Sequence, residues 1–255
     1  SGSAGSSDVA KALTALGNPV RFLSLIGRDM AGELARRSLA RDGLPGELVV
    51  EGMAHTAHSV ILYDSNGQRQ INVDLKDIQE QVYPAELFEP ALSECMLAVL
   101  CNINFSRPFL SKAKRAGKMI ATDVHAISGI DDDYNCDFMR HADILFMSDE
   151  LLPCPPEDWV RLLWSRYDAE IAVVGLGAQG ALLGVKSDQF LGRLPPVYTR
   201  PVVNTIGAGD ALFSSFIHFY SNLGDPYSTL RKAMVFASHK IGVAGAADGF
   251  LTGQE

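Results

Sequence analysis

A short glycine-containing segment in the last quarter of the chain carries the residues best suited to chemistry. Residues 203–213 read VNTIGAGDALF and continue into an apolar run. Gly207, Ala208 and Gly209 are small enough for the backbone to wrap closely around an anion. A helix that begins here would point its free N–H groups and the positive end of its dipole into the turn. The segment therefore predicts an anion site with Asp210 beside it.

Asp210 is the candidate general base. A carboxylate at such a turn can take a proton from a nearby hydroxyl. The same residues also permit a purely structural interpretation, in which Asp210 caps the helix and the glycines only form the turn. On these residues alone, both interpretations stay open.

Two further groups of polar residues follow predicted strands. Asp123 ends the strand 119–123, and Asn104 and Arg107 come after the buried strand 96–100. Ligand-binding groups of α/β proteins lie at the carboxyl ends of strands, which favours a binding role for Asp123. A loop cap is the alternative for Asp123. For Arg107 the choice is between a phosphate contact and a surface ion pair.

The elements that must position these residues alternate between strand-like apolar runs and helix-like stretches. This pattern predicts an α/β fold with a largely parallel sheet. Helices are predicted at 9–16, 30–40, 108–116, 138–141 and 157–165, and strands at 20–26, 96–100, 119–123, 144–147, 171–174 and 181–185. Residues 59–73 instead predict an antiparallel hairpin with Asn66 and Gly67 in its turn. We expect a small β lid at about residues 49–75.

Composition limits the classes of function. The 255 residues, 47% of them hydrophobic, suffice for the core of one domain. A formal charge of −8 argues against nucleic acid or an anionic membrane as the main partner. We also expect neither a membrane span nor a signal peptide. The four cysteines, Cys95, Cys101, Cys136 and Cys154, contain no CxxC pair, which predicts reduced thiols in a cytoplasmic protein without zinc or disulfides.

Residues 175–180 (GLGAQG) match the dinucleotide fingerprint GxGxxG. An NAD site requires a helix next and an acidic residue about 20 positions later. Here the next segment predicts a strand, and position 200 is Arg. A glycine loop that contacts ATP is therefore favoured, and an NAD-dependent oxidoreductase is the weaker alternative.

Residues 204–210 (NTIGAGD) resemble the signature of the ribokinase/PfkB family of carbohydrate kinases, usually written DTxGAGD. The resemblance extends to the first helix of the family at 8–17, to its "vGdDxfG" turn at 26–32, to its lid strands at 59–73 and to its nucleotide segment at 174–180. It implies a single ribokinase-like domain over residues 1–255. That fold has three layers, with helices on both faces of a mostly parallel central sheet, and a small β-sheet lid.

The resemblance also implies a reaction. ATP would phosphorylate a hydroxyl of a small sugar, sugar acid or nucleoside, with Asp210 as general base and residues 207–209 as the anion hole. Mg²⁺ would bridge the ATP phosphates, the lid would exclude water, and K⁺ activation is common in the family. Lids of the family often pair into homodimers. The resemblance implies that the nucleotide contacts Ser148, Glu150, Gly175, Gly177, Gly180, Thr205, Ala237 and Ser238. It implies that the acceptor contacts Asp123 and Asn104. Glu150 would bind Mg²⁺ through water, and Asn204 would bind a monovalent cation.

Four departures from the family pattern bear on these expectations. Asn204 stands where the family usually has Asp. Residues 148–151 (SDEL) lack the Asn and the Glu of the magnesium motif "NxxE". Ser3 and Ala4 replace two substrate-contacting glycines, and the opening strand of the family has no counterpart before Ser1. If the chain begins at Ser1, we expect a sheet that lacks a central strand. The departures at Ser148 and Asn204 leave a catalytically silent small-molecule sensor on the same fold as an alternative.

Overall fold

The computed structural model describes residues 2–63, 69–243 and 249–251. The helices in these ranges are α1 (Gly2–Ala15), α2 (Met30–Arg41), α3 (Ala85–Glu94), α4 (Arg107–Arg115), α5 (Cys136–His141), α6 (Pro156–Arg166), α7 (Ala208–Leu223) and α8 (Pro226–Lys240). The strands are β1 (Ser24–Gly27), β2 (Val49–Met53), β3 (His58–Tyr63), β4 (Arg69–Asp74), β5 (Leu97–Val99), β6 (Met119–Ala126), β7 (Ile144–Ser148), β8 (Ile171–Gly175), β9 (Ala181–Val185) and β10 (Phe190–Leu194). None of the described helices is both long and apolar enough to cross a membrane.

Six strands form the central sheet in the order β10-β9-β8-β7-β6-β5. Strands β5 to β8 run parallel, while β9 and β10 add an antiparallel edge. The parallel strands therefore end along one side of the sheet, where Ser148 of β7 pairs with Gly175 of β8. The largely parallel sheet predicted from the alternating pattern is confirmed.

Both faces of the sheet are buried, as the near-continuous apolar strands require. On one face, Leu145 and Val174 pack in a core shared with α3, α4, α5 and α6. On the other face, Phe146 and Val173 pack against α1, α7 and α8. Alternate residues of the same strand thus serve opposite cores, and the result is a helix–sheet–helix sandwich.

Aromatic packing fixes α7 on the sheet. Phe213 and Phe216 are almost completely buried, and their ring centroids lie 5.0 and 5.2 Å from that of Phe146. A two-residue connection leads from α7 into α8, where the Asp225 carboxylate accepts the N–H groups of Tyr227 and Ser228. Because the connection is so short, the two packed helices run antiparallel. The first turn of α7 therefore lies beside the last turn of α8.

Two small sheets lie outside the central one. Strands β1 and β2 pair in parallel, and β3 and β4 form the predicted antiparallel hairpin. The predicted turn at Asn66 and Gly67 lies outside the described residues. Strand β2 belongs with β1, so only β3 and β4 form the antiparallel part of the expected lid. Its closure over a substrate stays a prediction.

An apolar cavity borders the edge of the central sheet. The predicted strand 20–26 is wrong in its first half, because residues 18–23 belong to no helix or strand and only residues from Ser24 onwards pair with β2. Between this segment and β5 lies a cavity of about 720 Å³, lined among others by Leu13, Val20, Val99 and Phe109. Within the described part of the chain, β5 pairs with β6 alone.

Truncation of Phe216 to alanine tests the anchoring of α7. Loss of a fully buried phenylalanine leaves a cavity, so we expect Phe216→Ala to lower the free energy of unfolding by about 3 to 5 kcal/mol. Leu223, which is 46% exposed on the same helix, is the matched control. Leu223→Ala should change that energy by less than about 0.5 kcal/mol in the same urea denaturation. Equal losses in the two variants would contradict the described packing.

Candidate active site

The anion turn predicted at residues 207–209 lies at the N-terminus of α7. Gly207 is the residue before the helix and has φ +74°, a left-handed conformation that suits glycine. The N–H groups of a first helical turn lack intrahelical acceptors, and no side chain of the described residues caps them here. Ala208 N–H donates to Thr205 O at 3.2 Å. Among the described residues, the N–H groups of Gly207 and Gly209 have no backbone acceptor and can face an anion, and a contact from Ala208 stays a prediction.

Hydrogen bonds tie the segment before this turn to the C-terminal end of α8. Val203 N–H and Asn204 N–H both donate to Ile241 O, at 2.8 and 3.0 Å. The Arg200 guanidinium donates to His239 O through Nε at 2.7 Å and also through Nη2. Carbonyls at a helix end need such outside donors. The motif is thus fixed to the α7–α8 hairpin on both of its sides.

Asp210 occupies the first turn of α7. The residue is partly exposed, but protein atoms crowd its carboxyl. This burial, followed by the carboxylates of Asp123 and Asp8, raises the pKa of Asp210 to about 8, although the Lys240 ammonium acts in the opposite direction. A carboxylate whose pKa lies near the working pH is suited to proton transfer. Perturbation of this kind favours a chemical role over simple helix capping.

Asp123, on strand β6, lies close enough to Asp210 for its carboxylate to act on the pKa of Asp210. Its carboxylate accepts His125 N–H at 2.8 Å, and the register of β6 against β7 slips between Asp123 and Ala126. His125 has φ +58°, which is uncommon outside glycine. Bulges of this kind re-aim side chains and are common next to active sites.

Cys101, which follows β5, supports this convergence. Burial, followed by the carboxylates of Asp210 and Asp123, raises the pKa of its thiol to about 12. Two carboxylates can act on one thiol only if all three groups lie close together. The structure therefore brings Asp8, Cys101, Asp123 and Asp210 together at the carboxyl edge of the sheet.

The glycine loop after β8 is compact. Leu176 N–H donates to Gly180 O at 2.9 Å and closes the loop, and Asp149 N–H reaches Gly175 O at 3.1 Å. Gly180 has φ +94°, and a Cβ there would lie 2.1 Å from Leu194 O. Strand β9 follows at once, so the helix that an NAD site requires is absent at this position.

The remaining predicted nucleotide residues lie near these elements. Ser148 Oγ, at the end of β7, accepts Glu150 N–H at 3.3 Å, and the Glu150 side chain is exposed. Ser238 on α8 is 5% exposed, and its Oγ accepts Thr199 N–H at 3.0 Å. Ala237, beside it, packs on the small core around Phe236 and is partly buried. Ser238 thus also has a structural role.

Asn104 makes contacts of a structural kind. Its amide Nδ2 donates to Gln79 O at 3.0 Å, and its Oδ1 accepts from Arg107. Arg107 also pairs with Asp137 at 3.0 Å, so the ion pair is present, and a phosphate contact of Arg107 stays a prediction. A contact between Asn104 and the acceptor stays a prediction. In the described ranges, no group of three or more His, Cys, Asp or Glu side chains is placed to hold a metal ion.

The chain resembles one known protein family over nearly its whole length. The model of the pfkB family carbohydrate kinase matches residues 4–252. The chain belongs to this family. The predicted family membership and the predicted ribokinase-like fold are confirmed, and the alternative of an NAD-dependent oxidoreductase is wrong. The protein is thus a sugar or nucleoside kinase of the pfkB type.

Individual relatives agree with the family match. An ATP-dependent ribose-1-phosphate kinase of Halopiger xanaduensis is 29% identical over 253 residues, which cover 96% of this kinase and 82% of the relative. A microbiome-derived acarbose kinase is 28% identical with a TM-score of 0.88, covering 97% of this chain and 83% of the other. A fructokinase of Xylella fastidiosa with bound ATP has a TM-score of 0.80 at 20% identity, over 97% of this chain and 87% of that one; it shows the fold alone.

Sequence reasoning missed Lys240, whose charge acts on Asp210. A basic residue in the last turn of a helix is ordinary, because it complements the helix dipole. Only the packing of α8 against α7 shows that this one is buried.

The raised pKa of Asp210 predicts a pH-dependent stability. Its ordinary value is 3.8, so between about pH 4 and pH 8 the folded kinase holds a proton that the unfolded chain has lost. The stabilisation from this group is complete below about pH 4 and is lost as pH rises through about 8. Asp210→Asn stays neutral, so its stability relative to wild type should increase across this window, by at most about 1.4 kcal/mol per pH unit.

Urea denaturation at a series of pH values measures this difference. Asp168→Asn is the control, because the Asp168 side chain is fully exposed. A constant difference between Asp210→Asn and wild type from pH 4 to 8 would refute the raised pKa.

Proposed function

We propose that this kinase transfers the γ-phosphoryl group of ATP to a hydroxyl of a small sugar, sugar acid or nucleoside, with Asp210 as general base. The observation that carries the proposal is the position of Asp210, a carboxyl with a pKa of about 8 in the first turn of a helix whose N-terminus offers free N–H groups. ATP as donor is supported by the named activity of the Halopiger relative, an ATP-dependent kinase.

The reaction needs a base for the acceptor hydroxyl and positive charge close to the transferred phosphoryl group. Asp210 takes the proton of the acceptor hydroxyl as its oxygen attacks the γ-phosphorus, and the bond to ADP breaks. The N–H groups of Gly207 and Gly209, with the positive end of the α7 dipole, stabilise the charge on the transferred phosphoryl group. Ala208, whose N–H donates to Thr205 O, supports the shape of the turn.

The proposed nucleotide site extends from this turn along the carboxyl edge of the sheet. Ser148 and Gly175 lie side by side at the ends of β7 and β8, and the closed loop to Gly180 follows. Thr205 is proposed to contact the nucleotide from the motif, and Ala237 and Ser238 from α8. Mg²⁺, when bound with ATP, neutralises phosphate charge, and the exposed Glu150 is the residue proposed to hold it through water.

The acceptor is proposed to bind between Asp123 and the lid, with Asn104 as a further contact. Val60 and Leu62 of β3 are 51% and 53% exposed. An exposed apolar strand face supports either pairing of two lids in a homodimer or closure over the acceptor. The four cysteines are free, which supports the proposed cytoplasmic location.

Measurement of ADP release from Mg-ATP across a panel of sugars, sugar acids and nucleosides tests the reaction. We expect acceptor-dependent release, with a kcat/KM that rises as pH increases towards about 8, because the base must be ionised. Asp210→Asn should lower the rate by about 10² or more, the scale of a lost general base. The exposed Asp168→Asn should retain wild-type rates. ATP binding without turnover on any acceptor would favour the silent sensor instead.

Two glycine variants test the nucleotide loop. Gly177 and Gly180 both have positive φ. A Cβ added at Gly180 would collide with backbone, whereas a Cβ added at Gly177 would meet no atom within 4 Å. Gly180→Ala should raise the KM for ATP by about 10-fold or more, and Gly177→Ala by clearly less, because the collision adds to the shared strain. Steady-state kinetics at saturating acceptor measures both. Equal effects would argue against the closed loop as part of the ATP site.

A further inference from the structure

Lys240 is a charged side chain enclosed by protein. Its exposed fraction is 0%, and it is among the largest completely buried side chains of the described residues. A buried ammonium is costly unless other groups compensate its charge. Lys240 therefore differs from an exposed lysine that only complements the helix dipole.

The helix hairpin places Lys240 beneath the motif at residues 204–210. The last turn of α8 lies beside the first turn of α7, which carries Asp210. The next residue, Ile241, supplies the carbonyl that accepts Val203 N–H and Asn204 N–H. Lys240 thus precedes the residue that anchors the motif, and its charge lowers the pKa of Asp210 against the effect of burial.

The described residues at this place do not fit a monovalent cation. K⁺ binds oxygen ligands, and a carboxylate among them would offset its charge. Asn204 offers a neutral amide, and its Oδ1 already accepts Ile206 N–H at 2.9 Å. A second positive charge near the enclosed Lys240 ammonium would also be repelled.

We propose that the Lys240 ammonium is a permanent internal cation at the base of the motif, and that it takes the place of a bound monovalent ion. Lys240 is a positioning residue, which acts on the reaction through the charge of Asp210. The inference rests on the proposed role of Asp210 as base, and it predicts a kinase that works without K⁺.

The groups that face Asp210 make this role specific. Asp123 approaches from β6, Asp8 from α1, Lys240 from α8, and Cys101 lies at the end of β5. Of the described groups that shift the pKa of Asp210, only Lys240 is positive. Without Lys240, burial and the carboxylates of Asp123 and Asp8 would raise the pKa of Asp210 with no opposing charge among the described groups.

Carbon-13 NMR of the aspartate carboxyls tests the inference without any acceptor. Asp210→Asn assigns the Asp210 signal, and the pKa is then followed in wild type, Lys240→Met and Lys240→Arg. We expect the pKa of Asp210 to rise by about one unit in Lys240→Met, the scale expected when a nearby opposite charge is lost, and to stay close to wild type in Lys240→Arg. An unchanged pKa in a Lys240→Met protein with native circular dichroism overturns the proposal.

The wild-type kinase supplies a second test that does not depend on how the variants fold. Thermal unfolding and ADP release are compared in KCl and in choline chloride at equal ionic strength. We expect the same midpoint and the same rate in both salts, since a site that binds no K⁺ gains no stability from it. A higher midpoint in KCl alone overturns the proposal. If no acceptor is phosphorylated, the proposed function fails, whereas the NMR and unfolding results still decide the role of Lys240.

Discussion

Packing of α7 against the central sheet fixes the direction of its first turn, and the rest of the candidate site depends on that direction. Phe213 and Phe216 hold the helix against Phe146, so its N-terminus faces the ends of the parallel strands. There the dipole and the unpaired N–H groups meet Asp123 from β6 and the glycine loop from β8. One contact between helix and sheet thus brings the predicted anion turn, the proposed base and the strand ends together.

The electrostatics of the site reflect opposing effects on one carboxyl. Burial and two neighbouring carboxylates favour the protonated form of Asp210, whereas Lys240 favours the ionised form. Because both effects come from groups fixed on helices and strands, the balance is set by the fold and needs little rearrangement during reaction. A base whose affinity for a proton is intermediate can both receive one from an alcohol and release it to water afterwards.

The parts of the site that the sequence predicted are those carried by contiguous residues. The motif at 204–210 contains the glycines, the proposed base and the start of α7, so its local structure follows from residue types and spacing. Other features depend on contacts between distant segments. The convergence of Cys101, Asp123 and Asp210 requires the sheet order, and the burial of Lys240 requires the α7–α8 hairpin.

Among the secondary structure elements, α3 was not predicted. It contains Pro90, which ordinarily argues against a helix interior, but the stacking of Phe88 on Phe109 at 3.8 Å compensates for this by burial. Conversely, apolar residues alone predicted a strand over 20–26, although residues 20–23 pair with no strand in the part of the chain that the structure describes. Tertiary packing overrode local preference in both cases.

The cavity beside β5 also bears on local motion. It opens to solvent, and its volume of about 720 Å³ separates residues 18–23 from β5. Segments with few packing contacts open at a lower free energy than the core around them. Exchange of amide hydrogens with solvent would therefore begin in residues 18–23 and the neighbouring α1, while the helix hairpin and the ends of the parallel strands stay protected.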